Sequence, residues 1–212
     1  MWLAVPAGFL AGSIPVSYVV ARHLTGVDLR RVGNGTVSGT ALYQVAGFGP
    51  LAAAGILEVA KGAVGPALAG RRHPIVAAGA TAASIVGHNW SPWLRGAGGR
   101  GISPALGALA VAAPAAAATL LAGMVGGRLA GQTAVGSLLA DALAVPAARR
   151  AHGQAAGWAA GAAIAPMLVK RVVGNRPADP RRASTYVWRL LFDRDTRLPG
   201  PVAQRLVART GR

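Results

Sequence analysis

The chain begins with MWLAVPAGFLAGSIPVSYVVA at residues 1–21, a run without any charged side chain. A membrane-spanning helix needs about 20 mainly apolar residues, so this run predicts a first crossing. Because no Lys or Arg precedes it, we expect it to stay in the protein rather than to be removed as a secretion signal. The first positive charge, Arg22, follows the run. The positive-inside rule therefore predicts that Met1 lies outside the cell and Arg22 lies in the cytoplasm.

The composition of the whole chain also favours a membrane protein. Of its 212 residues, 53% are hydrophobic and only 13% are charged, which is too little charge for the surface of a soluble domain. The formal net charge is nevertheless +16, and 11 of the 22 Lys and Arg lie from Lys170 onward. Nucleic acid is a common partner of so basic a chain, but the long apolar runs argue against it. Anionic membrane lipids suit basic edges on an apolar body.

Five further apolar segments follow the first one. They are residues 41–70, 75–90, 102–124, 131–148 and 153–169. In lipid every backbone polar group must be satisfied internally, and helices achieve this within one segment. The pattern therefore predicts an all-α, polytopic membrane helix bundle.

The number of crossings is not fixed by hydropathy. With the N-terminus outside, six crossings would place the basic C-terminal end outside as well, against the positive-inside rule, so we expect an odd number. Asp141 in the middle of residues 131–148 costs about 2.5–3.5 kcal/mol on insertion scales, which favours five crossings. A break of residues 102–124 at Pro104 or Pro114 would instead give seven.

The composition changes from Gly174 onward to a basic segment that contains prolines. We interpret residues 1–172 as a transmembrane domain and residues 173–212 as a basic cytoplasmic tail. A short amphipathic helix is expected around residues 186–192, with Trp188 and Leu191 at the membrane surface. The arginines of the tail suit anionic lipid or a protein partner.

The loop RRVGNGTVSGT at residues 30–40, here called the first loop, has the composition of a phosphate-binding loop. Its glycines let successive backbone N–H groups turn toward one anion. The hydroxyls of Thr36, Ser38 and Thr40 add donors, and the N-terminus of the following helix adds a positive dipole. A flexible, capped connection between two helices would show the same composition.

The sequence GHNWSPWLRGAGGRG at residues 87–101, here called the second loop, places Arg100 beside glycine backbone just before another apolar segment. A guanidinium can hold phosphate in bidentate fashion. His88 is a candidate base or ligand, or a hydrogen-bonded residue at a helix end. Trp90 and Trp93 are typical of the aromatic belt at a membrane interface.

Glu58 and Lys61 lie three residues apart in an apolar segment and therefore share one helix face. They form either a structural ion pair or, together with Asp141, part of a polar pathway that would favour a small transporter. No metal site is expected, because four scattered His and no Cys give no ligand spacing.

The order of these motifs resembles the PlsY family of bacterial acyl-phosphate:glycerol-3-phosphate acyltransferases. The similar motifs are GSIP at residues 12–15 with Tyr18, residues 33–41 against GSGN-x-GATN, EVAKG at residues 58–62 against D-x-x-KG, and residues 87–101 against GH…GGKG. The likeness covers about residues 9–107, with the motifs in the family's order and spacing.

The resemblance implies seven transmembrane helices in the bacterial cell membrane, with the N-terminus outside, the C-terminus inside and the active-site loops facing the cytoplasm. It implies transfer of an acyl group from an acyl phosphate to a hydroxyl of glycerol 3-phosphate, which forms lysophosphatidic acid for phospholipid synthesis without a metal or another cofactor. The catalytic residues on this interpretation are Ser38, Thr40, His88 and Arg100. The residues that bind the substrates are Gly33, Asn34, Gly35, Thr36, Gly39, Gln44, Lys61, Gly98, Gly99 and Gly101.

The chain also departs from the family pattern. Ala41 replaces an Asn and Gln44 replaces an Arg, while the family's C-terminal motif RHR-x-N is poorly met by Lys170, Arg171 and Asn175. Each lost charge-assisted contact costs about 1.5–3 kcal/mol. Two alternatives therefore stay open: an enzyme that acylates another acceptor alcohol, and a non-catalytic relative that binds a phospholipid or a protein partner.

Overall fold

The computed structural model describes residues 1–176 and 184–193, and within them it shows ten α-helices, two short 3-10 turns and no strand. The helices are α1 (Ala4–Ser13), α2 (Val16–Thr25), α3 (Gly39–Ala46), α4 (Phe48–Ala69), α5 (Pro74–Asn89), α6 (Ile102–Ala112), α7 (Pro114–Leu129), α8 (Thr133–His152), α9 (Gln154–Val173) and α10 (Ser184–Phe192). The all-α bundle expected from the sequence is confirmed. The short helix expected around residues 186–192 corresponds to α10.

Three helical stretches of the described chain are long and apolar enough to cross a membrane. They are Ala4–Thr25, Phe48–Ala69 and Gln154–Val173, and Ile102–Ala112 is a shorter apolar helix. Large apolar side chains such as Leu10, Ile56 and Leu139 lie on the outer surface of the bundle. An apolar outer surface of this kind suits a lipid environment.

Breaks divide three of the predicted segments into shorter helices. Pro15 separates α1 from α2, and Gly47, at φ 82°, separates α3 from α4 in a conformation that glycine adopts without steric cost. Residues 102–124 break at Ala113, and Pro114 begins α7. Pro104 causes no break, because it lies in the first turn of α6, where a missing N–H is not needed. The region predicted as one segment thus holds two helices, as seven crossings would require.

The centre of the bundle is α5, which packs against α1, α4, α6 and α9. Glycines allow the backbones to approach closely. A Cβ atom at Gly12 would lie 2.0 Å from the Ser84 carbonyl oxygen, and one at Gly107 would lie 1.8 Å from the Val59 carbonyl oxygen. Small residues at such contacts let helices associate in lipid, where no hydrophobic force drives them together.

Asp141 lies inside a continuous helix, α8, and its side chain is buried against protein. The positive charge of Arg171 on α9 acts on this carboxylate. Arg171 also donates to the hydroxyl of Ser137 at 2.9 Å and to the carbonyl oxygen of Ala134. Burial against protein, with a cation nearby, reduces the cost that an Asp would have in contact with lipid.

Candidate anion-binding site

The first and second loops lie against each other. The backbone N–H of Val37 donates to the carbonyl oxygen of Gly98 at 3.0 Å. Asn175, two residues after the end of α9, joins both loops: its amide nitrogen donates to the Gly35 oxygen at 2.9 Å and to the Gly98 oxygen at 2.8 Å. Its side-chain oxygen accepts from the Gly98 N–H at 3.2 Å. Two segments about 60 residues apart in the chain therefore form one polar surface.

The first loop uses several of its polar groups to hold its own shape. The side-chain oxygen of Asn34 accepts from the Thr36 N–H at 3.1 Å, and the Ser38 hydroxyl caps α3 by accepting from the Ala41 N–H at 3.3 Å. Gly35 has φ 77°, a left-handed conformation that favours glycine. The Thr36 hydroxyl is buried and has no hydrogen-bond partner within the described chain. An unsatisfied buried hydroxyl is a candidate ligand-binding group.

The second loop requires glycine where it passes His88. A Cβ atom at Gly99 would lie 2.1 Å from His88 Nε2 and 2.8 Å from the Val37 oxygen. A Cβ atom at Gly98 would lie 2.2 Å from the His88 oxygen. Gly101, at φ 80°, precedes α6. These glycines allow the loop backbone to approach both the histidine ring and the first loop.

Arg100 is held between the end of α9 and the segment that follows α10. Its Nη1 donates to the carbonyl oxygen of Lys170 at 2.8 Å, and its Nε lies 2.7 Å from the carboxylate of Asp193. The Lys170 side chain is 1% exposed, and its ammonium lies 5.0 Å from the centre of the Trp90 ring and 3.4 Å from the Gly96 oxygen. Trp90 thus packs against a buried cation.

Positive charge exceeds negative charge around Arg100. Lys170 and Arg171 are buried nearby, and both interact electrostatically with Arg100. In the described chain, Asp193 is the only carboxylate within ion-pair distance of any of these three cations, and Asp141 also acts electrostatically on Arg171, so three cations face two carboxylates. Buried charges are costly unless they are paired. The excess of cations is therefore suited to a bound anion.

A second charged cluster lies beside the break between α1 and α2. The Glu58 carboxylate is 2.7 Å from Lys61 Nζ and 3.1 Å from His88 Nδ1, and it accepts hydrogen bonds from the N–H and hydroxyl of Ser17. Lys61 also donates to the carbonyl oxygen of Ile14. The ion pair thus satisfies backbone groups that the break at Pro15 leaves without helical partners.

Several residues predicted for the site come together in the structure. Those at the junction of the two loops are Gly35, Thr36, His88, Gly98, Gly99 and Arg100, and Lys61 lines a small cavity with His88, Gly98 and Gly99. Thr40 and Gln44 lie exposed on α3, and Gly33 is exposed at the turn before it. Asn34 and Ser38 bond to the loop backbone, and Gly39 begins α3.

Asn175 was not predicted as a residue of the candidate site, although the sequence contains a signal for it. Arg171 and Asn175 are four residues apart, as are the first Arg and the Asn of RHR-x-N, so these two positions are in register after all. Lys170, Glu58 and Asp193 were not assigned to the site either. For Asp193 the sequence holds no signal, because its partner Arg100 is 93 residues away.

The Trp93 indole donates to the Ser13 hydroxyl at 2.9 Å, and the Ser91 hydroxyl donates to the Ser13 carbonyl oxygen at 2.7 Å. The second loop is thereby tied to the end of α1. The helix break, the ion pair beside it and the second loop form one connected polar region.

Comparison with known proteins places the chain in a family. The glycerol-3-phosphate acyltransferase family model matches residues 2–175. Glycerol-3-phosphate acyltransferase 2 of Moorella thermoacetica is 42% identical over 124 residues, which are 55% of this chain and 61% of that protein. The Halalkalibacterium halodurans glycerol-3-phosphate acyltransferase is 34% identical over 120 residues, which are 55% of this chain and 58% of that protein. The chain spans about three fifths of the length of these curated relatives.

Solved structures agree with the family match. PlsY, an integral membrane glycerol 3-phosphate acyltransferase, in its glycerol 3-phosphate form superposes with a TM-score of 0.73 at 25% identity, covering 92% of this chain and 94% of that chain. Its lysophosphatidic acid form superposes with a TM-score of 0.70 at 20% identity, covering 97% of each chain, and shows the shared fold. The chain therefore belongs to the glycerol-3-phosphate acyltransferase family of integral membrane proteins.

Proposed function

We propose that the protein transfers an acyl group from an acyl phosphate to a hydroxyl of glycerol 3-phosphate and so forms lysophosphatidic acid in a bacterial membrane. The observation that carries the proposal is the junction of two glycine-rich loops beside Arg100, within a buried excess of positive charge. Both substrates carry phosphate, and each would bring negative charge to this excess of cations.

In the proposed reaction the acceptor hydroxyl attacks the acyl carbonyl carbon. A new ester C–O bond forms, and the bond between the acyl carbon and the phosphate oxygen breaks, so that phosphate leaves. Arg100 and backbone N–H groups of the loops hold the phosphates and stabilise the oxyanion of the tetrahedral intermediate. The hydroxyl proton passes either to the departing phosphate or to His88, whose ring is oriented by Glu58 at 3.1 Å.

The test is acyl transfer by the purified protein in detergent or bilayers, from palmitoyl phosphate to radiolabelled glycerol 3-phosphate. We expect lysophosphatidic acid well above the amount formed by Arg100→Ala, and partial activity from Arg100→Lys, which keeps the charge. A folded wild-type protein that forms no product from these substrates would contradict the proposal.

A different acceptor alcohol is the second candidate. It is supported by Gln44, which stands where the family has an Arg and lies exposed on α3 without the charge that would attract phosphate. Product formed from glycerol or another alcohol, but not from glycerol 3-phosphate, would favour this alternative. No product from any acceptor would favour a relative that only binds lipid or a partner.

The topology that we propose has seven crossings, formed by α1 with α2 and by each helix from α4 to α9. Both loops and the tail then face the cytoplasm. Because the chain contains no Cys, single cysteines report each side cleanly. We expect Arg72→Cys to react with a membrane-impermeant maleimide in intact cells, and Arg95→Cys to react only after permeabilisation. The same labelling pattern for both would refute this orientation.

A further inference from the structure

The described part of the tail is anchored on the bundle. Arg189 of α10 is 2% exposed and donates to the carbonyl oxygens of Val172, Val173 and Arg176 at the end of α9. A cation at a helix C-terminus is favoured by the helix dipole and satisfies carbonyl groups that lack helical partners. Arg189 therefore fixes α10 next to the two loops.

The end of this segment reaches the anion-binding site itself. The Asp193 carboxylate lies 2.7 Å from Arg100 Nε in the second loop, and the Asn34 amide of the first loop lies 3.5 Å from the Asp193 carbonyl oxygen. Carboxylate and phosphate are both anions that pair with a guanidinium. Asp193 thus presents to Arg100 the same chemistry that a substrate phosphate would present.

This contact belongs to a part of the chain beyond the family match, which ends at residue 175. The family match thus includes Arg100 but not Asp193.

We propose that residues 184–193 form an autoinhibitory strap, in which the Asp193 carboxylate competes with substrate phosphate for Arg100. The proposal rests on the proposed function of the same site. When the strap is closed, Arg100 already has a counter-ion, and phosphate binds only to molecules in which the strap has moved away. The apparent affinity for substrate falls in proportion to the fraction of open molecules.

The first experiment compares the KM for glycerol 3-phosphate of the 212-residue wild type, Asp193→Asn and Asp28→Asn. Asp28 is the matched control, because it also lies 2.7 Å from an arginine, Arg30, at the start of the first loop, and its carboxylate bonds to Arg30 rather than to Arg100. A strap that is closed in about four fifths of the molecules raises KM about fivefold. We expect Asp193→Asn to lower KM by about this factor, and Asp28→Asn to leave it unchanged.

The second experiment does not depend on catalysis. Thr185 of α10 is 5% exposed, so Thr185→Cys introduces a single buried thiol into a chain without cysteine. We expect inorganic phosphate to accelerate its reaction with a water-soluble maleimide, and we expect the added Asp193→Asn change to accelerate it without phosphate. The added Asp28→Asn change should have neither effect.

The outcomes separate the strap from the proposed function. An active enzyme whose KM is the same with and without Asp193→Asn would overturn the strap and leave the function in place. If the wild type forms no lysophosphatidic acid, the labelling decides alone: exposure of the introduced thiol by phosphate supports the strap, and labelling that is insensitive to both phosphate and Asp193→Asn overturns it.

Discussion

Two buried groups of charged side chains lie close to the second loop, and they differ in the ratio of positive to negative charge. Glu58 and Lys61 neutralise each other, and their remaining hydrogen-bonding groups are directed to the break between α1 and α2. Around Arg100, by contrast, Lys170 and Arg171 add positive charge, and Asp193 supplies the nearby carboxylate. A balanced buried pair indicates a structural or positioning role, and an unbalanced cluster indicates a place for a ligand.

The most direct test of this difference is to replace one lysine from each group. Lys61→Met leaves Glu58 buried without its cation, and removing one partner of a buried pair costs about 3–5 kcal/mol. Lys170→Met removes a cation from a group with excess positive charge, so we expect a change in unfolding free energy of about 1 kcal/mol or less, from the lost contact with Trp90. Denaturant unfolding in detergent measures both.

The double variant Glu58→Leu with Lys61→Met is the control for the lysine comparison. It removes both charges together, so it should recover part of the stability that Lys61→Met loses. Equal loss of stability from Lys61→Met and Lys170→Met would contradict the distinction between the two groups.

The second expected effect concerns catalysis at the unbalanced group. Arg100→Ala should lower kcat/KM for glycerol 3-phosphate about 10²-fold, the size seen when one preorganised donor to a developing charge is lost. Thermal stability should change little, because the loss of the contact with Asp193 is offset by the loss of the repulsion that Arg100 exerts on Lys170 and Arg171. A normal kcat/KM in Arg100→Ala would show that the positive charge is not used in the reaction.

The third effect tests whether loop geometry, in addition to charge, defines the site. Asn175→Ala removes the hydrogen bonds that join the two loops and should cost about 1–3 kcal/mol of transition-state stabilisation, measured as a fall in kcat/KM. Asn175→Asp is a more severe comparison, because it keeps the acceptor for the Gly98 N–H but places a negative charge against the Gly35 and Gly98 oxygens, so it should lower kcat/KM further than Asn175→Ala. Activity of Asn175→Ala equal to that of the wild type would remove this residue from the site.

The smallest effect is expected at the ion pair of Asp28 and Arg30, which serves as a half-buried reference. The hydrogen bond from Arg30 holds the pKa of the Asp28 carboxyl below its usual value of 3.8. The ion pair therefore stabilises the protein fully above the pKa that Asp28 has in the unfolded chain. This stabilisation is lost as the pH falls through the lower pKa that Asp28 has in the folded protein. At neutral pH, Asp28→Asn should reduce stability by at most about 1 kcal/mol, and the difference from wild type should shrink in acid. A loss of several kcal/mol would be the contrary result.

Much of the fold follows from local sequence. The apolar runs predict helices because lipid contains no water that could hydrogen-bond to free backbone groups. Pro114 predicts the break in residues 102–124 because proline lacks a backbone N–H. The break at Gly47 was missed, because an apolar run that contains a glycine has the same composition whether or not the helix continues through it. Asp141 suggested a weak crossing, and only the packing of α8 against α9 shows that this charge faces protein.

The site could be predicted only in part. The glycines and Arg100 were identified because their residue types limit what they can bind. The two loops meet through Val37 and Gly98 because of the way the helices pack, and no single segment of the sequence encodes that packing. Asn175 and Asp193 reach the loops from far along the chain, so only the folded structure identifies them as neighbours of Arg100.

The close approach of Gly99 to His88 makes this histidine a natural spectroscopic reporter. The other histidines, His23, His73 and His152, lie on the exposed surface of the described chain and can be replaced to leave one imidazole. Because Nε2 faces the second loop and Nδ1 faces Glu58, the two ¹⁵N resonances of that ring would follow the loop and the ion pair separately. One side chain would thus report on the loop during substrate binding and on the helix break at the same time.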